Sequence, residues 1–141
     1  MSAMRRRLVS IPAVFIAGVA LFALLPFWLP LAIVADLVRG CWRLPLARLG
    51  LFGLCWAWLE IVGVSLAGLA WLTGQRRNQA LHYRLQAWWA ASLIASLQVT
   101  TGAKLFTKVE SLAPGPVVMR CRHASLADSL VSAWAITSQA R

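Results

Sequence analysis

The absence of any charged residue between Leu8 and Ala35 constrains the fold more than any other feature of this sequence. A helix that crosses a bilayer needs about 20 mostly apolar residues, and this run is longer. A second run, from Leu49 to Thr73, contains Glu60 as its only charged residue. The two runs predict a membrane hairpin domain over residues 1–80, with helices over about 8–38 and 49–73.

The composition agrees with an embedded protein. Hydrophobic residues make up 60% of the chain, and its mean hydropathy of +0.71 is too high for an ordinary soluble domain of this length. A basic head at Arg5–Arg7 is also typical of a secretory signal. The apolar run after it exceeds the roughly 7–15 residues of a signal core, and no small-x-small cleavage site ends it. We therefore expect an uncleaved membrane anchor.

The net charge of +10 comes from arginines that flank the apolar runs. Such flanks orient helices against anionic headgroups, so membrane lipids are the expected partners. Nucleic-acid binding would need a basic face with exposed aromatics on a soluble fold, and no such domain is visible. The three cysteines show no Cys-x-x-Cys spacing and do not predict a disulfide framework. With only two histidines in addition, the sequence does not predict a metal site, and no cofactor is expected.

The path of the chain through the membrane depends on three segments. Pro26 and Pro30 should kink or break the first helix. A third helix over residues 81–97 is shorter and more polar, which favours a position at the interface. With two crossings the amino terminus and His123 share one side, which we expect to be cytoplasmic. Because the connector is basic, a shallow re-entrant hairpin remains an alternative to two full crossings. A third crossing would move His123 to the other side of the membrane.

The pattern changes after Gly102. Residues 104–110 alternate apolar and polar side chains, as an edge strand does, and Pro116–Cys121 is a short apolar strand candidate. Ser125 to Ala140 then reads as a helix. The second domain, residues 81–141, is therefore expected to hold the interfacial helix and the start of an α/β fold, with His123 in a strand-to-helix turn.

His123 and Asp128 are the candidate catalytic residues. A histidine can remove a proton from a hydroxyl at neutral pH, and a nearby carboxylate can fix its tautomer. Five residues on one regular helix would place the two side chains on different faces, so the pair requires His123 in the turn and Asp128 in the first helical turn. In the alternative interpretation, Ser125 and Asp128 form a capping box and have no part in catalysis.

The stretch Arg122-His123-Ala124-Ser125-Leu126-Ala127-Asp128 resembles the first block of the glycerolipid acyltransferases, Asn-His-x-Ser-x-x-Asp. Arg122 departs from the family's asparagine. The resemblance implies a membrane-bound enzyme of phospholipid biosynthesis, located in a bacterial inner membrane. It would transfer a fatty acyl group from acyl-CoA or acyl-carrier protein to a lysophospholipid hydroxyl, converting lysophosphatidic acid to phosphatidic acid. His123 would be the base, Asp128 would orient it, and the fold would be α/β.

The family's later blocks, which hold the acceptor phosphate, do not occur in these 141 residues. The resemblance therefore implies an amino-terminal portion that is inactive alone, and substrate-binding residues cannot be assigned from it. Two alternatives stay open. One is a small non-catalytic membrane hairpin protein, and the other is an acyltransferase of lipid A or ornithine-lipid synthesis.

Overall fold

The computed structural model describes residues 3–105 and 130–135, with side chains described from residue 9 onward. The first range is almost entirely helical, and residues 130–135 are also helical. Four α-helices and one 3₁₀ turn follow each other along the chain: α1 (Ala3–Ala23), α2 (Leu25–Val38), α3 (Pro45–Leu72), the 3₁₀ turn (Gln75–Arg77) and α4 (Gln79–Thr101).

The first long apolar run forms two helices rather than one. They meet at Leu24, and the segments on either side of it are bent by 68°. The break lies just before Pro26, whose ring cannot donate a backbone hydrogen bond and crowds the preceding turn. The indole Nε1 of Trp28 donates to the Leu21 carbonyl at 2.8 Å, so a side chain from the second helix holds the bend. The break occurs slightly earlier than the proline positions alone predict.

Helix α3 is the central helix of the bundle, and α1, α2 and α4 all contact it. At 28 residues, with one charged side chain in its middle, α3 is long and apolar enough to cross a membrane. Within the described part of the chain it is the only single helix with both properties. The bent pair α1–α2 would be a second if it crosses as one unit.

Helix α4 runs antiparallel to α3. Trp89 of α4 lies opposite Gly63 near the middle of α3, and Thr101 at the end of α4 contacts Arg48 near the start of α3. The face of α4 centred on Leu93 is the most deeply buried part of the described chain. The helix predicted over residues 81–97 therefore exists as the longer α4, packed along α3. Its position relative to a bilayer stays a prediction.

The expected α/β class is wrong. The structure is that of a helical protein, and residues 3–105 and 130–135 contain no strand. Where no water is present to pair with backbone groups, a helix satisfies all of them within one segment, which favours helices over the long apolar runs. Lys104 and Leu105, at the start of the first strand candidate, follow α4 without regular structure. The rest of residues 104–110, and all of Pro116–Cys121, lie outside the described residues.

Candidate functional site

The predicted catalytic pair is not among the residues that the structure describes. His123 and Asp128, with Arg122 and Ser125 beside them, fall in the interval between residues 105 and 130. The described chain approaches this interval from the end of α4 and resumes in the helical residues 130–135, inside the helix predicted after Ser125. The end of α4, with the parts of the bundle that it contacts, directly precedes this interval.

Asp36 of α2 caps the start of α3, at the end of the bundle where α4 also ends. Helix α3 begins with Leu44 and Pro45, and neither side chain can cap it. The carboxylate of Asp36, from the last turns of α2, performs this task instead: its Oδ2 accepts hydrogen bonds from the backbone N–H groups of Leu46 at 2.9 Å and Ala47 at 3.1 Å. Asp36 is only 1% exposed. A carboxylate at a helix amino terminus is favoured by both the free N–H groups and the helix dipole.

The chain reverses between α2 and α3 through two residues with left-handed backbone conformations, Gly40 at φ 72° and Leu44 at φ 49°. A left-handed conformation is strained for leucine. The two Asp36 hydrogen bonds lie directly after it and hold α3 in place against α2. The connector is thus a fixed part of the fold.

A cavity of about 660 Å³ opens at this end of the bundle, between the start of α3 and the end of α4. We call it the connector cavity; it is lined by Arg43, Pro45, Arg48, Leu49, Thr101 and Gly102. Both of its charged side chains are arginines, and none of these lining residues is acidic. Leu49 is 61% exposed and gives one wall an apolar surface.

Arg48 joins the two helices across the connector cavity. Its Nη1 donates to the Thr101 carbonyl at 3.3 Å, and that carbonyl belongs to the last turn of α4. Gly102 follows in a left-handed conformation at φ 73°, and a Cβ placed there would lie 3.4 Å from Arg48 Nη1. A cation at a helix carboxyl terminus is electrostatically favourable. The contact fixes the point from which the chain leaves toward His123.

A second cavity, of about 600 Å³, lies at the opposite end, where α3 turns into α4. Its walls are mainly apolar side chains such as Leu66, Leu69 and Trp88, and Arg84 is the charged residue among those lining it. This end is distant along both helices from the exit of α4. It carries no residue that the sequence singles out for catalysis.

Glu60, the acidic residue in the middle of α3, has a partner on its own helix. The indole Nε1 of Trp56, one turn earlier, donates to Glu60 Oε1 at 3.0 Å. An acidic side chain inside an apolar segment is costly unless it is paired, and this bond lowers that cost. Arg48, an arginine that a shallow hairpin would bring near Glu60, bonds to Thr101 instead.

The other groups capable of chemistry are dispersed. His82 lies in the first turn of α4, with Nδ1 at 2.8 Å from the Asn78 carbonyl. Cys41 and Cys55 are free thiols on different elements, and Cys121 lies outside the described residues. Across the ranges that the structure describes, no three His, Cys, Asp or Glu side chains come together as a metal site would require.

Comparison of the chain with protein-family models, with curated proteins and with solved structures found no match. Sequence reasoning missed the capping contact of Asp36 and the connector cavity. One signal for the first was present: α3 begins Leu-Pro without a capping residue, and Asp36 is the only acidic residue in the first half of the hairpin.

Proposed function

We propose that this chain supplies the membrane helices and the catalytic base of a glycerolipid acyltransferase. His123 takes the proton from the acceptor hydroxyl, and Asp128 holds the imidazole in the required tautomer and stabilises its charged form. The hydroxyl oxygen attacks the thioester carbonyl of acyl-CoA or acyl-carrier protein, and the thiol leaves. Lysophosphatidic acid is the proposed acceptor.

One observation carries the proposal: the His123-x4-Asp128 block, with Ser125 in its expected place, follows α3, a helix that is long and apolar enough to cross a membrane. A lysophospholipid and a long-chain acyl donor meet at a membrane surface, so an enzyme that joins them benefits from being held there. The block is proposed to face the cytoplasm at the inner membrane of a bacterium, where both donors are found. The helical bundle supports only the membrane part of this proposal.

The test is a matched set of histidine variants in a chimera that joins residues 1–141 to the later blocks of a glycerolipid acyltransferase. Membranes that contain the chimera are assayed with labelled acyl-CoA and lysophosphatidic acid. His123→Ala should lower the rate by roughly 10²–10⁴-fold, the usual contribution of base catalysis. Asp128→Asn should retain a small part of the activity, because the base survives without its orienting carboxylate.

His82→Ala is the control, because it removes the other histidine of the chain from an exposed site in α4. Its activity should match that of the unaltered chimera. A His123→Ala chimera within a few-fold of the unaltered protein would refute the assignment of the base. The 141 residues alone should show no turnover above their own His123→Ala variant, because the family's acceptor-binding blocks are absent from them.

A second candidate function, a non-catalytic membrane helix protein, is favoured by the helical fold of the described residues. In that case Ser125 and Asp128 cap a helix and His123 has no chemical task. The same chimera distinguishes the two candidate functions, because a capping role of Ser125 and Asp128 predicts that His123→Ala does not change the rate of acyl transfer. Replacing lysophosphatidic acid by a lipid A precursor or a lyso-ornithine lipid tests the remaining acyltransferase branches.

A further inference from the structure

We infer that the connector cavity binds the phosphate monoester headgroup of a single-chain lipid. Arg43 and Arg48 both line this one opening at the end of the bundle, and none of the residues that line it is acidic. Guanidinium groups recognise phosphate through paired, charge-assisted hydrogen bonds. The cavity, about 660 Å³, is large enough for a glycerophosphate group.

Arg48 is already positioned for such a ligand. Its contact with the Thr101 carbonyl uses Nη1 and ties the side chain to the end of α4. A guanidinium has five N–H donors, so one bond of this kind leaves a planar set of donors for a phosphate. Arg43 approaches from the connector, which the Asp36 hydrogen bonds to Leu46 and Ala47 fix relative to α3. The contact with Thr101 orders the Arg48 side chain and so reduces the entropy lost when a ligand binds.

The apolar side of the cavity indicates a lipid rather than a soluble phosphate. Leu49 lines the cavity and is 61% exposed, and it begins the apolar run of α3. A ligand with its phosphate on Arg43 and Arg48 can therefore extend a hydrocarbon chain along α3. Trp42, 82% exposed beside Arg43, is of the type that lies at headgroup depth. The lysophosphatidic acid class combines these features.

The cavity is also at the end of the bundle from which the chain continues toward His123, since Thr101 and Gly102 form part of its lining. The phosphate site does not rest on the proposed function, in which the family's later blocks hold the acceptor phosphate. It depends only on described residues. Binding without an acyl donor can therefore succeed or fail independently of the His123 assay.

The experiment measures binding of labelled oleoyl lysophosphatidic acid to the 141-residue chain in phosphatidylcholine nanodiscs. The double variant Arg43→Gln/Arg48→Gln should weaken binding by at least about tenfold. The matched control, Arg76→Gln/Arg77→Gln, removes the same charge from the 3₁₀ turn at the other end of the bundle and should leave binding within about twofold. Equal losses in the two double variants would show general attraction to anionic lipid and would overturn the site.

Two competitors distinguish recognition of the headgroup from recognition of the hydrocarbon chain, and a single variant controls for misfolding. Oleoyl lysophosphatidylcholine has the same chain without a phosphate monoester and should not compete. Glycerol 3-phosphate should compete only weakly, and competition as strong as that of the lipid would overturn the lipid assignment. Arg43→Gln alone preserves the Arg48–Thr101 contact, so unchanged binding in this variant, with an unchanged helical circular dichroism spectrum, would also refute the proposal.

Discussion

Replacing Asp36 by alanine should loosen the joint between α2 and α3 more than any other single change to an acidic residue of the bundle. The substitution removes the acceptor for two backbone N–H groups, those of Leu46 and Ala47, at a site where the carboxylate is 1% exposed. No residue at the start of α3 can replace it, because Leu44 and Pro45 offer no side-chain acceptor. Both N–H groups would then lose their partner.

The magnitude follows from two opposing effects. A hydrogen bond to a charged group contributes about 1.5–3 kcal/mol, and two such bonds end here on Oδ2. Burial of the carboxylate opposes this gain, and its other oxygen, Oδ1, has no hydrogen-bond partner among the described residues. We therefore expect Asp36→Ala to lower the free energy of unfolding by about 2–4 kcal/mol. Asp36→Asn keeps a neutral acceptor and should lose only about 1 kcal/mol.

The assay is unfolding of the chain in mixed micelles, followed by far-ultraviolet circular dichroism, together with amide hydrogen exchange. The amides of Leu46 and Ala47 should lose protection in Asp36→Ala, while those around Leu93 in α4 should keep theirs. Glu60→Ala is the control, because it removes the same charge and a single hydrogen bond, from Trp56, and should lose less than about 1 kcal/mol. An Asp36→Ala protein within about 0.5 kcal/mol of the parent, with both amides still protected, would refute the capping role.

Three further predictions concern packing and position in the membrane. Gly50→Ala should destabilise the bundle, because its Cβ would overlap the Trp28 ring. Gly53→Ala, which meets nothing within 4 Å, should stabilise α3 by up to about 1 kcal/mol, and equal effects of the two changes on thermal unfolding would contradict the packing. The chain should remain in the membrane pellet after alkaline carbonate extraction, because α3 has the length and composition of a span; recovery in the supernatant would exclude that. In a background without native cysteines, Trp42→Cys and Gln75→Cys should differ in labelling by an impermeant thiol reagent, because they lie beyond opposite ends of α3, whereas equal labelling would contradict a crossing by α3.

The long apolar runs were sufficient to predict helices, because hydrophobic length and the lack of charge are properties of the sequence itself. The start of α3 at Pro45 rather than near Leu49 was not predictable in this way. It depends on the hydrogen bonds that the Leu46 and Ala47 N–H groups donate to Asp36, across a connector whose course includes the left-handed Leu44. Such contacts between distant residues leave no periodic signal. The α/β expectation came from the resemblance and from short segments that periodicity alone cannot assign, and those segments lie almost entirely outside the described residues.

The polarity of α4, from which an interfacial position is predicted, is partly satisfied within the helix. The hydroxyls of Ser96 and Thr100 donate to carbonyls one turn earlier, at 2.8 and 2.7 Å. A hydroxyl satisfied within its own helix costs much less in apolar surroundings than a count of polar residues implies. The helix can therefore pack along the full length of α3, with Leu93 buried between them, and finish beside Arg48. That course brings the end of α4 to the connector cavity, whose lining includes Thr101 and Gly102.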